Sequence, residues 1–185
     1  MTNCLISYGA NIPGPFGNPC ETLTVVLEQL GEQSLEIVKK SRLYSSVAFP
    51  DPREPRYLNG CLELKVNCSA INLLVKLQCI EKKMGRRYSS RWSSRICDLD
   101  LLSYANLVFP NNNVFNHWYK MPLKKQMINK PANLLLPHPR LQDRAFVLKP
   151  LIEIAPNWIH PVLNLSVQEM FDTLPIKEQE SVTPI

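Results

Sequence analysis

The stretch RRYSSRWSSRICDLDLLSY, residues 86–104, carries four arginines and no acid across its first ten positions, then two aspartates one residue apart. Like charges this close repel, so the arginines require an anion nearby and cannot line a dry core. The end of the stretch, CDLDLLSY (97–104), alternates: Asp98 and Asp100 fall on one face of a strand, Leu99 and Leu101 on the other. Such a strand belongs in a sheet with one buried face and one face on which two carboxylates meet the arginines.

The segments around it supply that sheet. CLISY (4–8) is a short apolar run ending at Gly9 and reads as an opening strand, followed by the loop GANIPGPFGNP. Asn18 as cap, Pro19 at the first helical position and Glu21 three residues after the cap start a helix, whose stripe of Leu23, Val26, Leu27 and Leu30 stops at Gly31. Residues 35–46 read as one strand, and the three prolines of VAFPDPREP make the next segment a loop. YLNGCLELKV (57–66) reads as a strand pairing antiparallel with 35–46, and Leu73, Leu74, Leu77, Ile80 and Met84 recur at helical spacing over 69–84, ahead of a stop at Gly85.

Strand, helix, strand, strand, helix, strand is the order of an α+β, ferredoxin-like β-α-β-β-α-β sheet, with helices on one face and the other free for a ligand. Beyond it, 111–133 is expected to be an irregular insertion or hairpin, and 139–149 a helix ending at Pro150. Residues 166–174 form a second C-terminal helix, with Ser166 and Glu169 at capping-box spacing. One domain is expected over 1–176, with 177–185 a loose tail.

At 185 residues, 45% apolar, the chain can bury one sizeable core. Its net charge of +5 is concentrated between Lys82 and Cys97, which suits a site better than a coat. The six cysteines are scattered without a C-x-x-C or a zinc-ligand spacing and read as free thiols. No signal-peptide pattern and no run near the ~20 apolar residues of a membrane span is present, so a cytoplasmic location without a membrane partner is expected. No apolar seam beyond the core stripes is evident, and a monomer is expected.

A two-residue step at ~3.3 Å per residue sets the Asp98 and Asp100 Cα atoms ~6.6 Å apart, close enough to share metals, and hard oxygen ligands suit Mg²⁺. Alone, a D-x-D pair is as well a solvated strand face. Arg86, Arg91 and Arg95 change the balance, because guanidinium forks bind phosphate oxygens in pairs. The alternative is a basic RNA-binding module with Tyr88 and Trp92 as stacking platforms; against it, carboxylates beside the patch repel phosphates unless metal-bound, and RNP-type aromatics are missing, so no nucleic-acid partner is expected. Neither a P-loop nor a kinase glycine loop occurs, so side chains would hold any nucleotide. His138, between two prolines, and Arg144 add candidate phosphate donors.

YLN (57–59), RWSSRICDLD (91–100) and LPHPRLQDRAFVLKPLIEIAP (136–156), in that order, resemble the hydroxymethyl-dihydropterin pyrophosphokinase family, from YGAN near the start to about Leu174. The resemblance implies transfer of diphosphate from ATP to 6-hydroxymethyl-7,8-dihydropterin in folate biosynthesis, giving AMP, with two Mg²⁺ ions. By matching position, Asp98 and Asp100 resemble the metal ligands, and Arg86, Arg91, Arg95 and His138 join them as catalytic. Leu74, Gln78, Glu81, Arg91, Trp92, Arg95, His138 and Arg144 match ATP contacts. Ser46, Phe49, Tyr57, Asn59, Trp92, Asp98 and Phe146 match the pterin pocket, with Tyr57 and Phe146 as the aromatic pair. The chain departs from the family in having Ser93-Ser94 where Gly-Pro is usual, Ser46-Val47 where Thr-Pro is usual, GAN for GSN, and Tyr88 where an arginine is common.

Overall fold

The computed structural model describes residues 1–86, 94–129 and 131–185. Strand β1 (Thr2–Ala10) lies between β4 (Tyr57–Val66) and β5 (Asp98–Tyr104), antiparallel to both. Helices α1 (Pro19–Glu32) and α2 (Ala70–Lys83) cover one face, where Ile6, Tyr8, Leu62, Leu64, Leu99 and Leu101 pack against Leu23, Val26, Leu73 and Leu77. The Asn18 cap forms the capping box with Glu21, a contact worth about 1 kcal/mol. Gly85 at φ 93° ends α2, a conformation other residues adopt only with strain.

The expected strand 35–46 is two strands, β2 (Glu36–Lys40) and β3 (Tyr44–Ser46), both antiparallel to β4. Ser41 interrupts them: its hydroxyl accepts the Cys61 N–H at 2.9 Å, so a side chain does what the next rung of the ladder would have done. A hairpin around the proline-rich loop is nonetheless formed.

The second sheet face is not wholly free. Helices α5 (Ala145–Ile154) and α6 (Val167–Asp172) bury Val147, Leu148, Leu151 and Met170 against Leu5, Cys61 and Leu102. A short 3₁₀ turn at Leu141–Asp143 precedes α5, and Pro150 lies inside that helix instead of ending it. An internal proline costs about 3 kcal/mol. Burial of Val147, Leu148, Leu151 and Ile154 outweighs it, each fully buried apolar side chain contributing about 1.5–3 kcal/mol.

Within 111–133 the described residues form two helices in place of the expected irregular insertion or hairpin: α3 (Asn112–Tyr119) is capped by the Asn111 side chain, which accepts the Val114 N–H at 3.1 Å, and α4 (Leu123–Ile128) follows Pro122. Phe115 is the one buried residue of α3; Val114, Phe115 and Trp118 share one face, but eight residues are too few for the stripe to repeat. The C-terminal tail is docked as well. After α7 (Ile176–Glu180), the two-residue strand β6 (Thr183–Pro184) pairs with β3, Val182 is buried, and Lys149 Nζ donates to the Gln179 and Val182 carbonyls at 3.0 and 2.7 Å. Among the described residues no helix is long and apolar enough to cross a membrane.

Candidate active site

The two aspartates stand where alternation places them, on the face of β5 opposite Leu99 and Leu101. Register carries that face inward across the sheet: Asp98 is opposite Gly9, and Gly9 opposite Asn59. A Cβ on Gly9 would come within 3.0 Å of both Asn59 Oδ1 and the Leu58 carbonyl, so the missing side chain keeps the space between Asn59 and Asp98 open. Asn59, nearly buried, donates through Nδ2 to Ser46 Oγ at 2.9 Å, which fixes its amide at the end of β3. Tyr57 sits opposite Ser46; burial, and then the Asp98 charge, push its hydroxyl up to about 12.

A chain of charge runs from α2 to β5. Arg86 Nη1 meets Glu81 Oε1 and also reaches Asp98 Oδ1 at 3.1 Å, and Arg95 pairs with the same Asp98 oxygen. Glu81 additionally accepts the Leu99 N–H at 2.7 Å, tying α2 to the aspartate strand. Burial lifts the Glu81 carboxyl to about 7 despite the neighbouring Arg86. Burial and the nearby Asp100 likewise hold Asp98 above the ordinary carboxylate range, against the pull of Arg95 and Arg86. For Asp100, burial is outweighed by His138, Arg144, Arg95 and Arg86 together, and its carboxyl lies below that range.

A β-bulge places the histidine. Leu5 and Ile6 are consecutive on β1 but face Ser103 and Leu101, so Leu102 is the extra residue, and its carbonyl accepts the His138 N–H at 2.8 Å. His138 Nδ1 accepts the Arg140 N–H at 3.2 Å, which leaves the ring proton on Nε2 in the neutral form. Burial and then Arg144 lower its pKa to about 4, so near neutral pH the ring is an uncharged donor. Arg144 reaches Asp100 Oδ2 at 3.1 Å while its guanidinium lies 5.6 Å from the centre of the Phe146 ring.

Leu74, Asp100, His138 and Arg144 line one cavity of about 180 Å³, together with Trp118 and Gln126. Gln78, one turn beyond Leu74, is exposed on α2 and not among the lining residues, and Phe49 is 48% exposed in the loop after β3. Arg91 and Trp92, with Tyr88 and Ser93, lie outside the described residues. A larger concavity of about 370 Å³ lies elsewhere, between the Lys39–Glu63 ion pair and Trp158, and contains none of the expected site residues.

Sequence reasoning gave Gly9, Asn11, Trp118 and Gln126 no role in the site. Asn11 could have been suspected as an amide that continues the apolar strand, at the end of YGAN; it is 3% exposed and braces the arginine segment. Trp118 and Gln126 had only a weak signal, because the helices carrying them are eight and six residues long, too short for an apolar stripe to repeat. Among the described residues no cluster of three or more His, Cys, Asp or Glu could hold a metal by itself, so a cation here would rest on Asp98, Asp100 and oxygens of a ligand.

A family model described as 7,8-dihydro-6-hydroxymethylpterin-pyrophosphokinase (HPPK) matches residues 5–156. A 2-amino-4-hydroxy-6-hydroxymethyldihydropteridine pyrophosphokinase from Synechocystis is 39% identical over 127 residues, covering 69% of this chain and 54% of the relative. One of the same name from Aquifex aeolicus is 30% identical over 169 residues, covering 91% and 90%. The folic acid synthesis protein fol1 of Pneumocystis carinii is 28% identical over 97% of this chain but only 21% of its own length. This chain thus spans about half of the Synechocystis protein and about a fifth of the fungal one. A crystal structure of HPPK-DHPS in complex with substrates superposes with a TM-score of 0.65 at 13% identity, over 93% of this chain and 43% of the other. Wild-type Plasmodium falciparum HPPK-DHPS gives 0.61 at 16% identity, over 93% and 43%. At these identities the two structures speak to the fold.

Proposed function

This chain belongs to the 7,8-dihydro-6-hydroxymethylpterin-pyrophosphokinase family, and from that premise we propose that it transfers diphosphate from ATP to the hydroxymethyl group of 6-hydroxymethyl-7,8-dihydropterin, giving AMP and the pterin diphosphate for folate biosynthesis. The observation that carries the reading is the position of Asp98 and Asp100. They occupy one sheet face between a rim of Arg86, Arg95, His138 and Arg144 and the amide of Asn59 across Gly9.

The aspartates fit Mg²⁺. They offer hard carboxylate oxygens on one face, and this ion is ordinarily held by one or two carboxylates with substrate phosphates completing the shell. Two ions held there with ATP would offset charge on the phosphate oxygens.

The chain's own groups do the positioning, the main contribution expected in phosphoryl transfer. Arg86 and Arg95, already gathered on Asp98, face incoming phosphate with side chains that Glu81 and the Asn11 brace hold in place. His138 donates through Nε2–H, and Arg144 adds a fixed positive charge beside Asp100. Leu74, Gln78 and Glu81 flank the nucleotide from α2, where Glu81 acts as a positioning residue through Arg86 and Leu99. Asn59 and Ser46 read the pterin edge, with Tyr57 and Phe146 against its faces and Phe49 closing from the loop. Asp98, the more basic carboxyl of the pair, is the group suited to receive the hydroxyl proton. Arg91 and Trp92 complete the expected ATP and pterin contacts.

The RNA-binding alternative fits less well. Arg86, Arg95 and Arg144 have side chains only 29%, 25% and 16% exposed, each paired with a carboxylate, whereas a surface that tracks RNA presents its cations outward. A cytoplasmic monomer is the setting this reading assumes. Incubating the full chain with ATP, Mg²⁺ and the pterin alcohol should give AMP and the pterin diphosphate by mass spectrometry. Formation of ADP instead, with or without the pterin, overturns the proposal.

A further inference from the structure

The cavity beside Asp100 is built from two sources. Leu74, Asp100, His138 and Arg144 come from the ferredoxin-like frame and its C-terminal extension, whereas Trp118 and Gln126 come from the α3–α4 segment that the sequence left without a role. We infer that Trp118 is a nucleobase-binding residue, and that α3–α4 forms the wall against which the base of ATP is held. The inference rests on the nucleotide reading above and adds the part of the chain that would recognise the base.

Size comes first. A cavity of about 180 Å³ falls below the roughly 300–1,000 Å³ of a pocket for a whole ligand, so it suits one portion of a nucleotide. Its walls are chemically divided: the Trp118 indole and Leu74 are apolar, whereas Arg144, His138 and Asp100 lie on the charged side. A ligand matching that division has a flat aromatic end and an anionic end. The direction agrees with the sheet, because β5 is an edge strand and the Asn59 pocket lies inward of it across Gly9, on the far side of the aspartates from α3–α4.

The wall is also held in place. Phe115, fully buried one turn before Trp118, packs 5.5 Å from the His160 ring. Gln126, 7% exposed, donates through Nε2 to the Trp118 carbonyl at 2.9 Å and to the Met121 carbonyl at 2.7 Å, locking the end of α3 to α4. The His117 ring stands edge-on to the indole with centroids 6.4 Å apart. A helix fixed in this way presents its aromatic side chain to a base with little ordering left to do.

The test uses the full chain with Trp118→Ala and Trp118→Phe. Trp118→Ala should raise KM for ATP about tenfold, the effect of ~1.4 kcal/mol, while KM for the pterin and kcat change much less; Trp118→Phe should recover most of the loss. Because Trp92 is itself an expected ATP contact, fluorescence is read in a Trp92→Phe background, where ATP without pterin should quench tryptophan emission and inorganic tripolyphosphate should not. Adding Trp118→Phe to that background should largely abolish the ATP-dependent quench, a readout that needs neither turnover nor the alanine variant to fold. An unchanged KM for ATP in Trp118→Ala, equal quenching by tripolyphosphate, or a quench that survives when Trp92→Phe and Trp118→Phe are combined overturns the inference. The two proposals separate cleanly. Trp118-dependent quenching without pterin diphosphate formation leaves this one standing and removes the other. Pterin diphosphate formation with Trp118 indifferent to ATP does the reverse.

Discussion

Asn11 grips Arg95 from both sides of its peptide: the Asn11 Oδ1 accepts the Arg95 N–H at 2.7 Å, and the Asn11 N–H donates to the Arg95 carbonyl at 3.0 Å. Its Nδ2 donates further to Ser94 Oγ at 2.9 Å and to the Pro55 carbonyl at 3.0 Å. One nearly buried amide therefore joins β1, the arginine segment and the proline-rich loop. Asn11→Ala removes three part-buried side-chain hydrogen bonds, which should lower stability by about 1–3 kcal/mol. It should also reduce kcat/KM by about 10–100-fold, because Arg95 is no longer held over Asp98. Urea denaturation and steady-state kinetics on the same preparation check both, and full activity in a destabilised variant would count against the bracing role.

Gly9 separates two halves of the proposed site. In Gly9→Ala the added methyl would lie 3.0 Å from Asn59 Oδ1, so the amide must shift and its 2.9 Å bond to Ser46 must lengthen or break. KM for the pterin should rise about tenfold or more while KM for ATP stays within about twofold, since losing one well-placed hydrogen bond is worth about 1–1.5 kcal/mol. Pterin binding measured by calorimetry should fall in parallel. Equal effects on both substrates would show a general distortion of the sheet.

Asp98 and Asp100 should be separable from fold stability. Asp98→Asn keeps the side chain's shape and removes the charge, and activity should drop by at least about a thousandfold, corresponding to ~4 kcal/mol of transition-state stabilisation. Because burial and Asp100 already disfavour the Asp98 charge, unfolding free energy should change much less than activity. Chelation of divalent ions from the parent protein should abolish turnover, and added Mg²⁺ should restore it. Activity that persists in chelator removes the metal from the proposal.

How far the sequence reveals this arrangement depends on whether a feature repeats. Asp98 and Asp100 share a face because β5 alternates, and alternation is visible in eight residues; the stripes of α1 and α2 and the capping box at Asn18 are equally local. The break at Ser41 is not, because it depends on a hydroxyl meeting Cys61 twenty residues away. Nor could Pro150 be read correctly, since its place inside α5 depends on burial against β4. The docking of the tail is hidden for the same reason: a two-residue strand acquires meaning only from its partner β3. In the site, residues on regular elements were identifiable by type and spacing, whereas Asn11 and Trp118 act through contacts with distant segments.

His160 gives the folded chain a specific sensitivity to acid. It is fully buried, Phe115 and Trp158 pack against its ring at 5.5 and 5.6 Å, and Nδ1 accepts the Val162 and Leu163 N–H groups at 3.2 and 3.1 Å. Burial lowers its pKa from 6.5 to about 4. The unfolded chain therefore takes up this proton near pH 6.5 and the folded chain only near pH 4, so the residue's contribution is intact above 6.5 and is lost as pH falls towards 4. The full effect is on the order of 3 kcal/mol, of which about 2 kcal/mol should be gone by pH 5. His160→Gln keeps an acceptor for the two backbone groups and removes the titration. Urea unfolding at pH 7.5 and pH 5 should show the parent chain losing about 2 kcal/mol more than this variant over that interval, because carboxylate titrations are common to both. Equal losses would mean that the imidazole takes up its proton within the folded structure.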